Sequence, residues 1–213
     1  LAAPQMEEDR ALSHVLDRSL PIVSIHHIAG GPISTVGPDD ELAGYLAGRH
    51  LVELGHRVVG SVTGIRGRRL TQSRQRGFRR ALDEAGIESA DELVDEGGDK
   101  VAGGTEAAAR LLEGRPHVTA IFCQHDLGAL GVMGALRDAG RRVPEQCSLV
   151  SCDDLDMAAH TTPPLTTVHV PFYETGAEAM RLLLRMVADP TVKPGRVLLP
   201  VHLVTRGSTA PAA

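Results

Sequence analysis

The segment Thr119-Ala-Ile-Phe-Cys-Gln-His-Asp-Leu-Gly-Ala-Leu-Gly131 joins a short apolar run to a helical pattern through three polar residues. The run Thr119–Cys123 lacks polar alternation, which is typical of a strand buried on both faces of a parallel sheet. Asp126 stands where a helix N-cap is expected. The segment therefore predicts one β–α unit, with Gln124, His125 and Asp126 at the carboxyl end of its strand.

The same unit recurs along the chain. Further strands are predicted at Pro21–Ile25, Val58–Val62, Glu92–Asp95, Ser148–Cys152, Thr166–Val170 and Val197–Val204. Helical patterns lie between them, and glycines at 55, 86, 114 and 140 mark helix ends. In the last helix the apolar residues predict an inward face of Phe172, Gly176, Met180, Leu183, Leu184 and Val187. This alternation predicts an α/β doubly wound fold.

Composition narrows the class of protein. The 213 residues are 42% hydrophobic, which is enough for a sizeable core. The net charge of -5 argues against nucleic-acid binding by the chain as a whole. No apolar run approaches the roughly 20 residues that span a bilayer, and Leu1–Gln5 does not resemble a secretion signal. The three cysteines fit reduced core residues, so we expect a cytoplasmic protein without membrane contact.

Ligands of such folds bind outside the carboxyl ends of the strands. Asp153-Asp154 follows a predicted strand directly and allows three interpretations. In these, the two carboxylates act as a glycosidase-like acid/base pair, accept hydrogen bonds from ligand hydroxyls, or cap the short helix that follows. Binding is the simplest, because adjacent residues point in different directions.

Other chemistries have weaker support. Cys123 and His125 are a possible nucleophile and base, and His26, His125 and Asp153 with their neighbours are a possible metal cluster. Neither has the spacing of an established motif, and the glycines of Gly60–Gly67 do not match a phosphate loop. We therefore expect no catalytic residue, no metal and no cofactor. Seven arginines lie between Arg66 and Arg80, and most are expected to form a solvated face.

Several segments together resemble the LacI/GalR (lac-repressor-type) transcription regulators. The similar stretches are Tyr45–Arg57, Ser73–Leu82, Thr119–Gly131, Val143–Asp154, Thr162–Val168 and Val197–Thr209. The second contains R-x-x-G-F-x-x-A-L and the fifth contains P-P-L-T-T-V. The resemblance covers about residues 21 to 209, and the order of the motifs makes it specific.

The resemblance implies two Rossmann-like subdomains of the type I periplasmic-binding-protein kind. The N-terminal subdomain is expected at residues 1–54 with 169–195, and the C-terminal one at 55–168 with 196–209, followed by a tail at 210–213. The helix-turn-helix and the first strands of the family are absent from this chain, so the N-terminal subdomain is expected to be incomplete. Operator DNA would then be bound only through a segment outside the chain, by a homodimer.

The resemblance also implies a small-molecule effector in the cleft between subdomains. By position, Arg74 matches the family's ligand-clamping arginine and Asp153 its ligand-binding aspartate, while His125 replaces an asparagine. Phe172 falls near a pocket position, Asp99 replaces a stacking aromatic, and His26 and Asp39 are expected on the N-terminal wall. With aromatics at only 2%, a polar, cationic or polyhydroxylated effector is favoured over a stacked purine or a typical hexose. The alternatives are a periplasmic sugar-binding protein and a hydrolase that uses Asp153 and His125.

Overall fold

A computed structural model describes residues 20–25, 33–87 and 94–212. The strands are β1 (Val23–Ser24), β2 (Ser34–Pro38), β3 (Val59–Thr63), β4 (Val94–Glu96), β5 (Ala120–Cys123), β6 (Ser148–Asp153), β7 (Thr166–His169), β8 (Arg196–Leu199) and β9 (His202–Val204). The helices are α1 (Asp40–Glu53), α2 (Arg69–Glu84), α3 (Val101–Gly114), α4 (Asp126–Asp138) and α5 (Phe172–Ala188), with a 3₁₀ helix at Asp156–His160.

The strands form two sheets. Three parallel strands pair in the order β1-β2-β8. The larger sheet has the order β4-β3-β5-β6-β7-β9, in which all neighbours are parallel except β7 and β9. The chain passes between the sheets three times, after β2, after β7 and after β8. The α/β class with parallel sheets is thus confirmed.

Both faces of the larger sheet are covered by helices, as its unbroken apolar strands require. In β5, Phe122 faces a core shared with α1 and α2, and Ile121 faces a core shared with α3 and α4. The three-stranded sheet packs against α5 through Val23, Val36 and Ala179. No helix in the described ranges is both long and apolar enough to cross a membrane.

The chain divides between the sheets at different residues from those predicted. Helix α1, expected in the N-terminal subdomain, packs on the larger sheet because Ala43, Ala47 and Leu51 face its core. The expected single strand 197–204 is interrupted at Pro200, and Arg196–Leu199 joins the three-stranded sheet through β2. Proline has no N–H to donate to a ladder, so the break falls at this residue.

The predicted inward face of α5 was wrong for most of its residues, although Leu183 packs against the core as expected. Its buried residues are Thr175, Ala179 and Leu182, whereas four of the residues expected inside are exposed. These are Phe172, Met180, Leu184 and Val187. The helix has apolar residues over more than half its circumference, and the small Ala179 allows the closest approach to β1 and β2. Local periodicity alone does not decide between such faces.

Candidate functional site

Arg74 is the centre of a buried polar network at the carboxyl end of the larger sheet. Its Nη1 donates to Asp153 Oδ1 over 3.0 Å and, by a short contact of 2.5 Å, to the carbonyl oxygen of Gln124. Its Nε donates to Asp40 Oδ1 over 3.0 Å. The Arg74 side chain is only 3% exposed, so two carboxylates compensate a charge that would be costly to bury alone.

The crossing of α1 and α2 places Arg74 in this network. A Cβ added at Gly44 would lie 1.8 Å from the carbonyl oxygen of Arg74, and one added at Gly77 would lie 1.8 Å from that of Glu41. The two helix backbones are therefore in direct contact, which only glycine allows. Asp40 lies one turn before Gly44 in α1, and Arg74 lies one turn before Gly77 in α2. The helix contact therefore brings Asp40 and Arg74 together. The sequence analysis did not identify Asp40.

Asp153 ends β6 in an unusual backbone conformation. Its φ is 132° and that of Asp154 is 58°, values that residues other than glycine rarely adopt. Such conformations persist where surrounding contacts enforce them, and they cluster at ligand-binding and catalytic sites. Here Arg74 holds the side chain of Asp153, and His169 and Arg206 hold that of Asp154.

His125 contacts the same aspartate from the end of β5. Its Nδ1 lies 3.2 Å from Asp153 Oδ2, and the two side chains are 14% and 11% exposed. Burial alone would raise the pKa of Asp153, but the Arg74 charge and the contact with His125 outweigh burial and lower it. Asp153 is therefore a carboxylate at neutral pH. The structure thus brings together Arg74, His125 and Asp153, which the sequence analysis had grouped.

Asp99 forms an ion pair with Arg68 near this network. Arg68 Nη1 donates to Asp99 Oδ2 over 2.8 Å, and this hydrogen bond lowers the pKa of Asp99. A smaller electrostatic contribution from His125 acts in the same direction. The family resemblance implied that Asp99 replaces a stacking aromatic residue. In the structure Asp99 instead forms a partly exposed ion pair.

Gln124 was placed at a strand end by the sequence analysis, which assigned it no role. Its side chain is fully buried. The amide oxygen accepts from Gly64 N over 3.3 Å, and the amide nitrogen donates to the carbonyl oxygen of Thr71 over 3.2 Å. It therefore ties the end of β3 to the start of α2. Near Gly64 lies His125 Nε2, which is buried and has no hydrogen-bond partner in the described part of the chain.

Of the remaining predicted site residues that the structure describes, Asp39 and Phe172 have no hydrogen bond or ion pair to the network. Asp39 is the N-cap of α1, where its carboxylate accepts from Leu42 N over 2.9 Å. Phe172 begins α5 and is 56% exposed, without a recorded contact to Arg74, His125 or Asp153. His26 lies outside the described residues. Neither Asp39 nor Phe172 is thus joined to the Arg74 network.

Two predicted caps have other roles. Asp126 is the first residue of α4, whose N-cap is His125. Its buried carboxylate accepts from Ser151, Thr167 and the backbone N of Leu155. The 3₁₀ helix is preceded by Leu155 without a side-chain cap, so neither Asp153 nor Asp154 caps it. Asp126 instead fixes the turn that presents these two aspartates.

The geometry gives little support to the enzymatic alternatives. Burial raises the pKa of the Cys123 thiol to about 12, and the thiol donates to the carbonyl oxygen of His125 rather than to its ring. Asp154 is directed to His169 and Arg206 instead of pairing with Asp153. Among the residues that the structure describes, no group of three or more His, Cys, Asp or Glu is arranged to hold a metal ion.

Comparison with known proteins agrees with this architecture. Residues 48–209 match the family model of the periplasmic binding protein-like domain. The regulator CelR of Thermobifida fusca is 35% identical over 207 residues, covering 95% of this chain and 61% of CelR. The repressor PurR of Aliivibrio salmonicida is 35% identical over 151 residues, covering 71% of this chain and 45% of PurR.

Solved structures give the same result. A CelR–cellobiose complex superimposes with a TM-score of 0.91 at 34% identity, covering 96% of this chain and 63% of that one. A LacI-family regulator from Enterococcus faecium with bound ribose superimposes with a TM-score of 0.89 at 29% identity, covering 99% of this chain and 80% of that one.

Two parallel sheets joined by three crossings, with a polar network at the strand ends, define a binding domain of the periplasmic-binding-protein type. The chain belongs to the periplasmic binding protein-like domain family, in the form found in LacI-family transcription regulators. It spans about half the length of the curated relatives that it matches. The resemblance inferred from the sequence motifs is confirmed.

Proposed function

We propose that this chain is the effector-sensing part of a LacI-type transcription regulator. Its network of Arg74, Asp153 and His125 binds a small metabolite and so changes the affinity of the whole regulator for operator DNA. One observation carries the proposal. A buried arginine, a carboxylate in a strained turn and an imidazole meet at the sheet edge where this fold binds ligands.

The charges favour a neutral, polyhydroxylated effector. Arg74 is compensated by Asp40 and Asp153, and Arg68 by Asp99, so the network leaves no strong excess of either sign for a charged ligand. Carboxylate oxygens accept from hydroxyl groups, while guanidinium and imidazole N–H groups donate to them. The sugars named in the cellobiose and ribose complexes of similar proteins belong to this class.

The positions of the aromatic residues support the same class. All five lie in the described ranges. Phe78 and Phe122 pack together in the core, and Tyr45 covers Arg80 on the outer surface. Phe172 and Tyr173 are exposed at the start of α5. The structure therefore shows no aromatic side chain against Arg74 or Asp153 on which a purine would stack.

The proposal extends to the rest of the regulator. Binding without catalysis is inferred because the acids and the thiol lack the arrangement of an acid/base or nucleophile–base pair. The regulator is proposed to act as a cytoplasmic homodimer whose operator contacts come from a segment outside these 213 residues. A periplasmic solute-binding protein is not favoured, because the similar proteins are named as transcription regulators.

A thermal-unfolding screen tests the binding step. Ligands that bind only the folded state raise the midpoint by mass action. We expect at least one neutral sugar or polyol to raise the midpoint of the wild-type chain and to lose this effect in Asp153→Asn. An equal shift in both proteins would exclude Asp153 from the site, and catalytic turnover of the stabilising sugar would favour the hydrolase.

A further inference from the structure

Part of the arginine-rich stretch before and within α2 lines a cavity outside the effector network. A cavity of about 440 Å³ lies between α2, the end of β3 and the start of β4, within the ~300–1,000 Å³ typical of small-molecule sites. We propose that this cavity binds a phosphate-sized oxyanion. We call it the arginine cavity and define it by Arg66, Thr71, Gln75, Arg76 and Arg79. None of the described residues that line it is acidic.

The seven arginines of Arg66–Arg80 have different surroundings. Arg74 is buried against Asp40 and Asp153, and Arg68 is paired with Asp99. Arg80 pairs with Glu41 and covers the ring of Tyr45. Three others, at positions 66, 76 and 79, line the same cavity. The expected solvated face thus includes a concave cluster of guanidinium groups.

The ion pairs of two of these arginines are weak. Arg66 Nε lies 3.4 Å from Glu96 Oε2, and Arg76 Nε lies 3.5 Å from Glu41 Oε2. The Arg66 and Arg76 side chains are 67% and 60% exposed. Exposed pairs of this kind contribute little, since solvent screens them. A guanidinium group binds an oxyanion through two parallel hydrogen bonds, so an oxyanion can replace these carboxylates.

The wall of the cavity adds an unused donor. The amide oxygen of Gln75 accepts from Ser61 over 3.0 Å and from Gln124 Nε2 over 3.2 Å. The orientation of Gln124 is itself fixed by Gly64 N and the carbonyl oxygen of Thr71. The amide nitrogen of Gln75 therefore lies on the opposite side of its amide group, buried and without a hydrogen-bond partner.

A buried donor without a partner is unfavourable, because it has lost water without a replacement. Thr71 Oγ1, on the same wall, is also buried without a partner. An oxyanion oxygen that accepts from Gln75 Nε2 would remove one of these deficits. The site would thus combine guanidinium groups at its rim with a neutral donor at its wall, which is a common arrangement for phosphate.

The arginine cavity is separate from the effector network. Its lining does not include Arg74, Asp153 or His125. Gln124 lies between the cavity and the effector network. The same residues would recognise inorganic phosphate and the phosphate group of a phosphorylated metabolite.

Calorimetry with inorganic phosphate tests the proposal. We expect saturable binding of one phosphate by the wild-type chain, and an affinity about tenfold or more lower in the double variant Arg66→Gln/Arg76→Gln, which loses two charge-assisted contacts. The matched control is Arg181→Gln/Arg185→Gln, which removes the same charge from exposed arginines of α5 and should leave the affinity within about twofold.

Three outcomes would overturn the site. They are no saturable phosphate binding by the wild-type chain, binding that persists in Arg66→Gln/Arg76→Gln, and an equal loss in the control. Asp153→Asn should keep phosphate binding, which separates this site from the effector network. A second titration with glucose 6-phosphate identifies the kind of ligand. Tighter binding than that of inorganic phosphate would show that the cavity recognises a phosphorylated metabolite. Equal binding would show that it recognises the oxyanion alone.

Discussion

Arg74 Nη1 lies 3.0 Å from Asp153 Oδ1, although the two residues are 79 positions apart and belong to different β–α units. Both side chains are almost fully buried. A buried ion pair of this kind is a weak source of net stability, because desolvation opposes the Coulomb attraction. Its position at the ligand-binding edge of the sheet is therefore better explained by function than by stability.

Removing one partner should nevertheless be costly. Arg74→Gln leaves Asp153 and Asp40 buried without compensation, and we expect the free energy of unfolding to fall by about 3–5 kcal/mol. Urea denaturation at pH 7 measures this change. The control Arg137→Gln, whose pair with Asp138 is exposed, should change it by less than about 0.5 kcal/mol. Similar values for the two variants would show that the Arg74 network is not buried as described.

The contact between α1 and α2 predicts a second effect. Gly77→Ala places a methyl group against the carbonyl oxygen of Glu41, so we expect destabilisation of about 1–3 kcal/mol or more from overpacking. It should also weaken effector binding, because Arg74 lies one turn away. Gly176→Ala in α5 meets nothing within 4 Å and should stabilise the chain by about 0.5–1 kcal/mol. Stabilisation by Gly77→Ala would contradict the helix crossing.

Asp39 and Asp40 are adjacent but should behave differently. Asp39→Ala removes the N-cap of α1 and should cost about 1 kcal/mol of stability, with little change in effector affinity. Asp40→Asn keeps the shape of the side chain but removes a charge from Arg74 Nε, so we expect weaker effector binding. Calorimetry and urea denaturation on both variants check this. A larger loss of affinity in Asp39→Ala than in Asp40→Asn would show that Asp39, and not Asp40, contributes to effector binding.

The folded chain should lose stability as the pH falls from 7 to 5. Burial lowers the pKa of His56, whose ring bonds Thr119, Ser148 and the carbonyl oxygen of Ala210. Below the unfolded pKa of about 6.5, the unfolded chain gains a proton that the folded chain does not, so unfolding is favoured until the pH reaches the lowered folded pKa.

Urea midpoints between pH 5 and 8 measure this dependence. His56→Gln should reduce the slope, because glutamine does not titrate. His50, whose pKa is also lowered by burial, should account for part of the slope that remains in His56→Gln. An unchanged slope in His56→Gln would rule out a contribution from the burial of His56.

Much of this structure could be predicted from the sequence. The apolar run Thr119–Cys123 and the glycines after the helices predicted the elements, because buried strands and helix ends have strong local signals. The short strand β2 was missed, since Ser34–Pro38 contains one apolar side chain, Val36, besides its proline. The face of α5 was wrong because it depends on the sheet against which the helix packs.

The candidate site was predicted in part. Arg74, His125 and Asp153 were grouped from the family motifs and the strand ends, and the structure joins them. The roles of Asp40 and Gln124 were missed because they arise from tertiary contacts: a helix crossing at Gly44 and Gly77, and a bridge between β3 and α2. No spacing in the sequence signals either contact.

Calorimetry of the wild-type chain and of Asp153→Asn tests the central claim most directly. The panel contains neutral sugars and polyols, cellobiose and ribose among them, with purine bases and cationic metabolites as competitors. The proposal predicts that a neutral, polyhydroxylated compound binds the wild-type chain most tightly, one per chain, and about 100-fold more weakly in Asp153→Asn. Tightest binding of a purine or a cation, or an affinity that Asp153→Asn leaves unchanged, would contradict it.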